Sequence, residues 1–186
     1  LKDALNRGAN IIAEIMGYRI NSDGTDYVLP NPERQEQCIR QALDRAEIEA
    51  SMVDLVSSHA TSTPQGDEQE CKALRNVFSE ETGTLINNTK SFIGHSLGAA
   101  AGDQLSAMLG VWETGVMPGI TTVDHVASDV ATDRLEFPLQ TQTTELPKYA
   151  LINSKGFGGN NATAAVLGPE VTRELLARHH GQRKLS

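Results

Sequence analysis

The residues best placed to do chemistry lie in NNTKSFIGHSLGAAAG, Asn87 to Gly102. Gly94-His95-Ser96-Leu97-Gly98 has the G-x-S-x-G form that presents a nucleophilic serine at a strand-to-helix elbow. The same stretch sets His95 five residues after Lys90, so an imidazole competes with the serine. An elbow needs an apolar strand running directly into its first glycine. Here Leu85 and Ile86 give way to the polar run Asn87-Asn88-Thr89-Lys90-Ser91, a loop of its own. Asp124 and His179 follow Ser96 in the order of a serine triad, but both lie in polar stretches that read as solvated. A serine hydrolase using Ser96 is the weaker alternative.

Two more clusters fall at the ends of predicted strands, where loops carry working residues. They are SHATSTPQGD (Ser58 to Asp67) and NSKGFGGNN (Asn153 to Asn161). The elements that must position them can be read from the apolar pattern. A strand is predicted near Ile11 to Met16, then the Gly- and Pro-punctuated loop NSDGTDYVLPNP. Pro32 opens a helix to about Ala50, with Cys38, Ala42, Leu43 and Ala46 at helical spacing. MVDLVSS is a short buried strand ending at His59, and DEQECKALRNVF is a helix burying Cys71, Leu74, Val77 and Phe78. TLINN is another strand. From about Leu97 an Ala-rich helix turns Leu105, Met108, Leu109 and Trp112 inward. YALINS and ATAAVL form a hairpin-like pair around KGFGGNN, and a polar amphipathic helix runs from Pro169 to His180. This alternation predicts an α/β layer structure with an antiparallel pair near the C-terminal end. The working division is a domain over 1–168 and a helical tail over 169–186.

Composition narrows the function classes. With 186 residues, 39% hydrophobic and 22% charged, the chain suits one globular domain. Its net charge of −8 argues against a nucleic-acid surface. Two cysteines, Cys38 and Cys71, are too few for a disulfide framework and fit a reducing, cytoplasmic setting. No apolar run of membrane-spanning length occurs, and LKDALNRGANIIAEI is not a signal peptide. Its start in mid-pattern suggests an excised fragment.

The three clusters together resemble, in order and spacing, the C-terminal motifs of the β-ketoacyl-acyl carrier protein synthases. Those motifs are H-G-T-[GS]-T-P-x-G-D, T-K-S-x-x-G-H-x-x-G-A-A-G and N-S-F-G-F-G-G-T-N. The resemblance covers about Leu1 to Leu167. It implies a thiolase-like fold, one half of a layered αβαβα architecture: a mixed sheet with helices on both faces. It implies decarboxylative Claisen condensation of an acyl thioester with a malonyl-carrier thioester, in fatty-acid or polyketide-type elongation. Decarboxylation leaves an enolate, and two neutral imidazoles donating N–H bonds would stabilise it. By resemblance these belong to His59 and His95, with Lys90 as their electrostatic organiser. The backbone N–H of Phe157 would complete an oxyanion hole. Gly156, Gly158 and Gly159 would let the backbone approach the substrate, while Thr61 and Thr63 would bind the pantetheine amides. No metal or resident cofactor is implied, because the substrates ride on the phosphopantetheine of acyl carrier protein.

The thiolate nucleophile such an enzyme needs lies in the family's N-terminal half. Cys38 and Cys71 read instead as structural residues on amphipathic helices. The chain therefore resembles the C-terminal half of a synthase, inactive alone, whose partners would be the N-terminal half, acyl carrier protein and a second copy in a homodimer. The other reading is a non-condensing partner of chain-length-factor type. The chain departs from the motifs at Ala60 (for Gly), Lys155 (for a gating Phe beside the acyl pocket), Asn160 (for Thr) and Gln104 (for Glu). His125, His179 and His180 match nothing in the family, and Ser96 is expected to cap the helix after His95.

Overall fold

The computed structural model describes residues 2–78, 83–128, 130 and 135–180. A short helix, α1 (Lys2–Asn6), leads to strand β1 (Glu14–Ser22). The loop after it ends at Asn31, whose Oδ1 accepts the Arg34 N–H at 3.0 Å and starts helix α2 (Pro32–Ala46). Proline in the first turn costs nothing there, because its missing N–H would have had no helical partner. Helix α2 stops at Ala46 rather than near Ala50, because Glu47 turns left-handed (φ 56°). A 3-10 turn (Ala50–Met52) then feeds strand β2 (Leu55–Ser57), followed by α3 (Pro64–Val77) and β3 (Thr84–Asn87).

A four-residue helix, α4 (Lys90–Ile93), was not expected from the sequence; it sits inside the polar run. The helix predicted from Leu97 begins as a 3-10 turn (Leu97–Ala99) and becomes α5 at Ala100–Thr114. Three two-residue strands, β4 (Val116–Met117), β5 (Leu135–Glu136) and β6 (Gln142–Thr143), are too short to leave a periodic signal. Strands β7 (Tyr149–Gly156) and β8 (Asn160–Leu167) are longer than expected, leaving Phe157-Gly158-Gly159 as the turn. Lys155, Gly156 and Asn160 thus lie in strands rather than in the loop. Helix α6 (Pro169–His180) follows, and residues 181–186 of the expected tail lie outside the described residues.

Six strands form one mixed sheet in the order β1-β8-β7-β2-β3-β5. β1, β8 and β7 are antiparallel neighbours, while β7, β2, β3 and β5 run parallel. Alternation along the strands divides the core. Val56, Ile86, Leu151, Ala165 and Leu167 pack with Ile39 and Leu43 of α2, Leu74 of α3 and Val171 of α6. Leu55, Ala150, Ile152 and Val166 point the other way, against Met108, Val111 and Trp112 of α5. Helices therefore cover both faces, as the layer expectation required. Among the described residues, no helix is long and apolar enough to cross a membrane.

The strand expected at Ile11–Met16 lies later because its pairing with β8 spans Glu14 to Ser22, interrupted by a bulge between Ile15 and Gly17. At Gly17, β1 lies directly on α2: an added Cβ would come 2.7 Å from Ala46 N and 2.8 Å from Ala42 O. Backbone cannot yield as a side chain does. Gly17→Ala should therefore lower stability by about 1–3 kcal/mol, read by denaturant titration of the protein that carries this domain. An unchanged midpoint would show that β1 and α2 separate freely.

Candidate active site

The site is assembled where β2 and β7 end and α3 and α4 begin. Ser58 leaves β2 with its N–H and its hydroxyl both on the Asn87 carbonyl of β3, at 3.0 Å each. The next two N–H groups turn onto one carboxylate: His59 N donates to Glu70 Oε1 (3.0 Å) and Ala60 N to Glu70 Oε2 (2.9 Å). To do so the chain passes through left-handed conformations at Ala60 (φ 26°) and Ser62 (φ 63°). A glycine would take the first of these without strain, so the Ala60 departure falls at a conformationally demanding position. Thr63 occupies the N-cap of α3 but makes no side-chain cap bond; its hydroxyl lies 3.3 Å from that of Thr61. Both threonines stay available at the rim.

Glu70 is 2% exposed, on the inward face of α3 beside Cys71 and Leu74. It also accepts from Asn153 Nδ2 (3.3 Å) and pairs with Lys155 Nζ at 3.6 Å. Burial opposes its charge, but Lys155 and the two N–H bonds more than offset this and hold its pKa below the ordinary value. Burial, reinforced by the charge of Glu70, raises Asp67 to about 6. Lys90, at the start of α4, has its Nζ buried without a protein hydrogen-bond partner, and burial lowers its pKa.

His59 receives the Lys155 N–H on Nδ1 at 3.2 Å. A neutral imidazole has one acceptor and one donor nitrogen, so this bond places the proton on Nε2. Burial lowers the His59 pKa to about 4; Glu70 works against this, while Lys90, Lys155 and His95 add to it. The His95 ring meets it edge-on, with centroids 5.2 Å apart and planes at 88°. Unlike His59, His95 is exposed, as are Ile93 (59%), Leu97 (75%) and Phe157 (72%).

The glycine turn is held by the β1–α2 loop. Gly158 N donates to Tyr27 O (2.9 Å), Asp23 N donates to Gly159 O (2.8 Å), and Phe157 stacks on Tyr27 at 6.0 Å. Gly158 and Gly159 have φ of 82° and 71°, whereas Gly156 lies in β7 without a left-handed φ.

Gln104 of α5 is 1% exposed and donates to the carbonyls of Ser57 (2.8 Å), Ser58 (2.8 Å) and Asn153 (3.0 Å). One amide group thus fastens the ends of β2 and β7 to the helix behind the histidines. Ser96 takes the N-cap position of its 3-10 turn without a side-chain cap bond and donates instead to Asp103 Oδ2. The capping role expected for Ser96 is therefore not the one it plays. Asp124 is exposed in a turn, and the His179 side chain lies outside the described residues. Cys38 and Cys71 are buried. The Cys38 thiol donates to Arg19 O at 3.3 Å, and burial raises its pKa, as suits an unreactive thiol.

Sequence reasoning grouped His59, His95 and Lys90, and the structure brings these together; Lys155, expected beside an acyl pocket, joins them through its N–H to His59 Nδ1. It missed Glu70 and Asn153. The available signal for Glu70 was its place on the helix face that also carries Cys71, Leu74 and Val77.

Residues 12–124 match the family described as β-ketoacyl synthase, C-terminal domain. This chain belongs to that family. The synthase domain is 34% identical to β-ketoacyl-[acyl-carrier-protein] synthase FabY of Pseudomonas aeruginosa, over 96% of this chain and 30% of the relative. It is 39% identical to 3-oxoacyl-[acyl-carrier-protein] synthase 1 of Haemophilus influenzae, over 88% and 39%. The chain thus spans well under half the length of these relatives. Among solved structures, the P. aeruginosa noncanonical ketosynthase FabY superposes with a TM-score of 0.87 at 32% identity, covering 99% of this chain and 30% of that one. The ishigamide ketosynthase/chain length factor gives 0.79 at 32%, over 90% and 41%. A type II polyketide ketosynthase in complex with its acyl-carrier protein, AntDE:AntF, gives 0.81 at 28%, also over 90% and 41%. The thiolase-like fold expected from the motifs is the fold observed, with the synthase domain supplying one sheet and its covering helices.

The environment of His59 yields a direct test. Its ring should remain neutral down to about pH 4 in an imidazole NMR titration of the intact protein. A midpoint near the ordinary histidine value of about 6.5 would show that the buried, cation-flanked site is not formed.

Proposed function

We propose that this chain is the C-terminal part of a 3-oxoacyl-[acyl carrier protein] synthase that catalyses decarboxylative Claisen condensation. The observation that carries the reading is the edge-on His59–His95 pair, with Nδ1 of His59 occupied by a main-chain N–H. Nε2–H of His59 is then a fixed neutral donor. As the malonyl C–C bond breaks and CO2 leaves, the bonding electrons pass to the thioester oxygen as an enolate. His59, with His95 beside it, donates to that oxygen. The enolate carbon attacks the acyl carbonyl, and a cysteine thiolate supplied by the N-terminal part departs.

Lys90 contributes positive charge near His59 and opposes its protonation. The Phe157 N–H serves the tetrahedral intermediate, and Thr61 and Thr63 receive the pantetheine arm at the rim. Gly156 and Gly158 bound the same turn. The substrates arrive on acyl carrier protein, with no resident metal or cofactor.

Exposure supports a missing covering part. An enolate needs a dry pocket, yet His95, Leu97 and Phe157 face solvent here. Tyr18 (58%) and Ile20 (62%) leave apolar surface open on the edge strand as well. The N-terminal half, in the same polypeptide or as a subunit, would cover these surfaces, and a homodimer would follow from the whole synthase. The chain by itself should not condense substrates. A non-condensing partner is the second reading, favoured by the Lys155 departure; retention of both histidines and Lys90 weighs against it.

Assayed with the N-terminal half present, His59→Ala and His95→Ala should each cut malonyl decarboxylation by about a hundredfold or more. Unchanged rates in both variants would overturn the assignment. Labelling of Ser96 by a fluorophosphonate would revive the hydrolase alternative; none is expected, since its hydroxyl is engaged by Asp103 rather than by a histidine.

A further inference from the structure

Lys155 occupies the position where the motif carries phenylalanine, yet its side chain is largely buried against a carboxylate. Its side chain is 11% exposed, and its Nζ lies 3.6 Å from Oε1 of Glu70. That carboxylate binds the N–H groups of His59 and Ala60. The main-chain N–H of Lys155 meanwhile donates to Nδ1 of the same histidine. One residue therefore reaches His59 by two routes, through the imidazole and through the peptide that carries it.

We propose that Lys155 is a positioning residue that fixes the orientation and neutral state of His59 by neutralising Glu70. This deepens the synthase reading and rests on it. A buried carboxylate held only by neutral donors would draw another cation or a proton. A second cation that feels the charge of Glu70 is Lys90, whose buried ammonium has no protein hydrogen-bond partner. With Lys155 paired to Glu70, Lys90 need not close on the carboxylate.

The charged and titratable groups facing His59 are Glu70 from α3, Lys90 from α4, His95 from the following loop and Lys155 from β7, with Asp67 beside Glu70 and Lys90. Removing the Lys155 charge takes away repulsion toward a proton on His59 and leaves Glu70 to attract one. Both changes raise the His59 pKa. If decarboxylation requires neutral His59, the acid limb of kcat must move upward.

The test uses the synthase with both halves present and a malonyl-carrier thioester as substrate. Lys155→Met should lower kcat for decarboxylation about tenfold while leaving KM within about twofold. Its acid limb should rise by about one pH unit. Lys155→Arg, which keeps the charge, should retain at least about half the rate and leave the limb in place. The double variant Lys155→Met, Glu70→Gln should be no slower than Glu70→Gln alone, since Lys155 acts through that carboxylate.

A normal rate and an unmoved limb in Lys155→Met would overturn the proposal, as would independent, multiplying losses in the double variant. Should Lys155→Met fail to fold, Lys155→Arg carries the test, and a shifted limb there overturns it. His59→Ala assayed in parallel separates the two claims. Loss of activity in His59→Ala with normal Lys155→Met sinks only the Lys155 role, whereas full activity in His59→Ala sinks the underlying assignment.

Discussion

Glu70 is a carboxylate almost entirely out of water, and a charge in that position must be met by donors or abandoned to protonation. Two consecutive peptide N–H groups, the Asn153 amide and the Lys155 ammonium meet it. Each donor comes from a segment that also carries a site residue, so satisfying the charge and building the site are the same event. Removing one partner of such a buried pair typically costs ~3–5 kcal/mol. That scale explains how the chain sustains left-handed conformations at Ala60 and Ser62 within one turn.

Gln104 performs the matching task on the other side of the sheet. Its amide gathers three carbonyls from the ends of β2 and β7, where a parallel sheet leaves acceptors without strand partners. α5 is thereby locked to the strand ends that deliver His59 and Lys155. A carboxylate at this position would set an anion against these carbonyl oxygens, which the two amide hydrogens of Gln104 share, while its buried Oε1 has no protein hydrogen-bond partner. The histidine pair is consequently braced from both layers before any substrate enters.

Much of this was legible in the sequence. The three clusters stood out because polar residues follow short apolar strands at the ends of β2, β3 and β7. Pro32 announced α2, and the apolar stripes of α3 and α5 were read on the correct faces. Glu70 escaped notice because an acid among DEQE reads as solvated, and its burial depends on Lys155 and Asn153, which are distant in sequence. The length of β7 and β8 was underestimated because glycine and asparagine weaken strand propensity, while pairing with β1 and with each other extends the ladder to Asn160. The end of β1 was likewise set by pairing and by the contact at Gly17, neither of which leaves a local signal.

His59 is half-buried and held through Nδ1, whereas the His95 ring beside it is exposed. What counts at His59 is a particular proton on a particular nitrogen, since only Nε2–H can reach an oxyanion when Nδ1 is occupied. The most direct measurement is the pair of imidazole 15N shifts of His59 in the intact protein near neutral pH. The account predicts a neutral ring with pyrrole-type Nε2–H and an unprotonated Nδ1. A ring protonated on Nδ1, or doubly protonated, would contradict it.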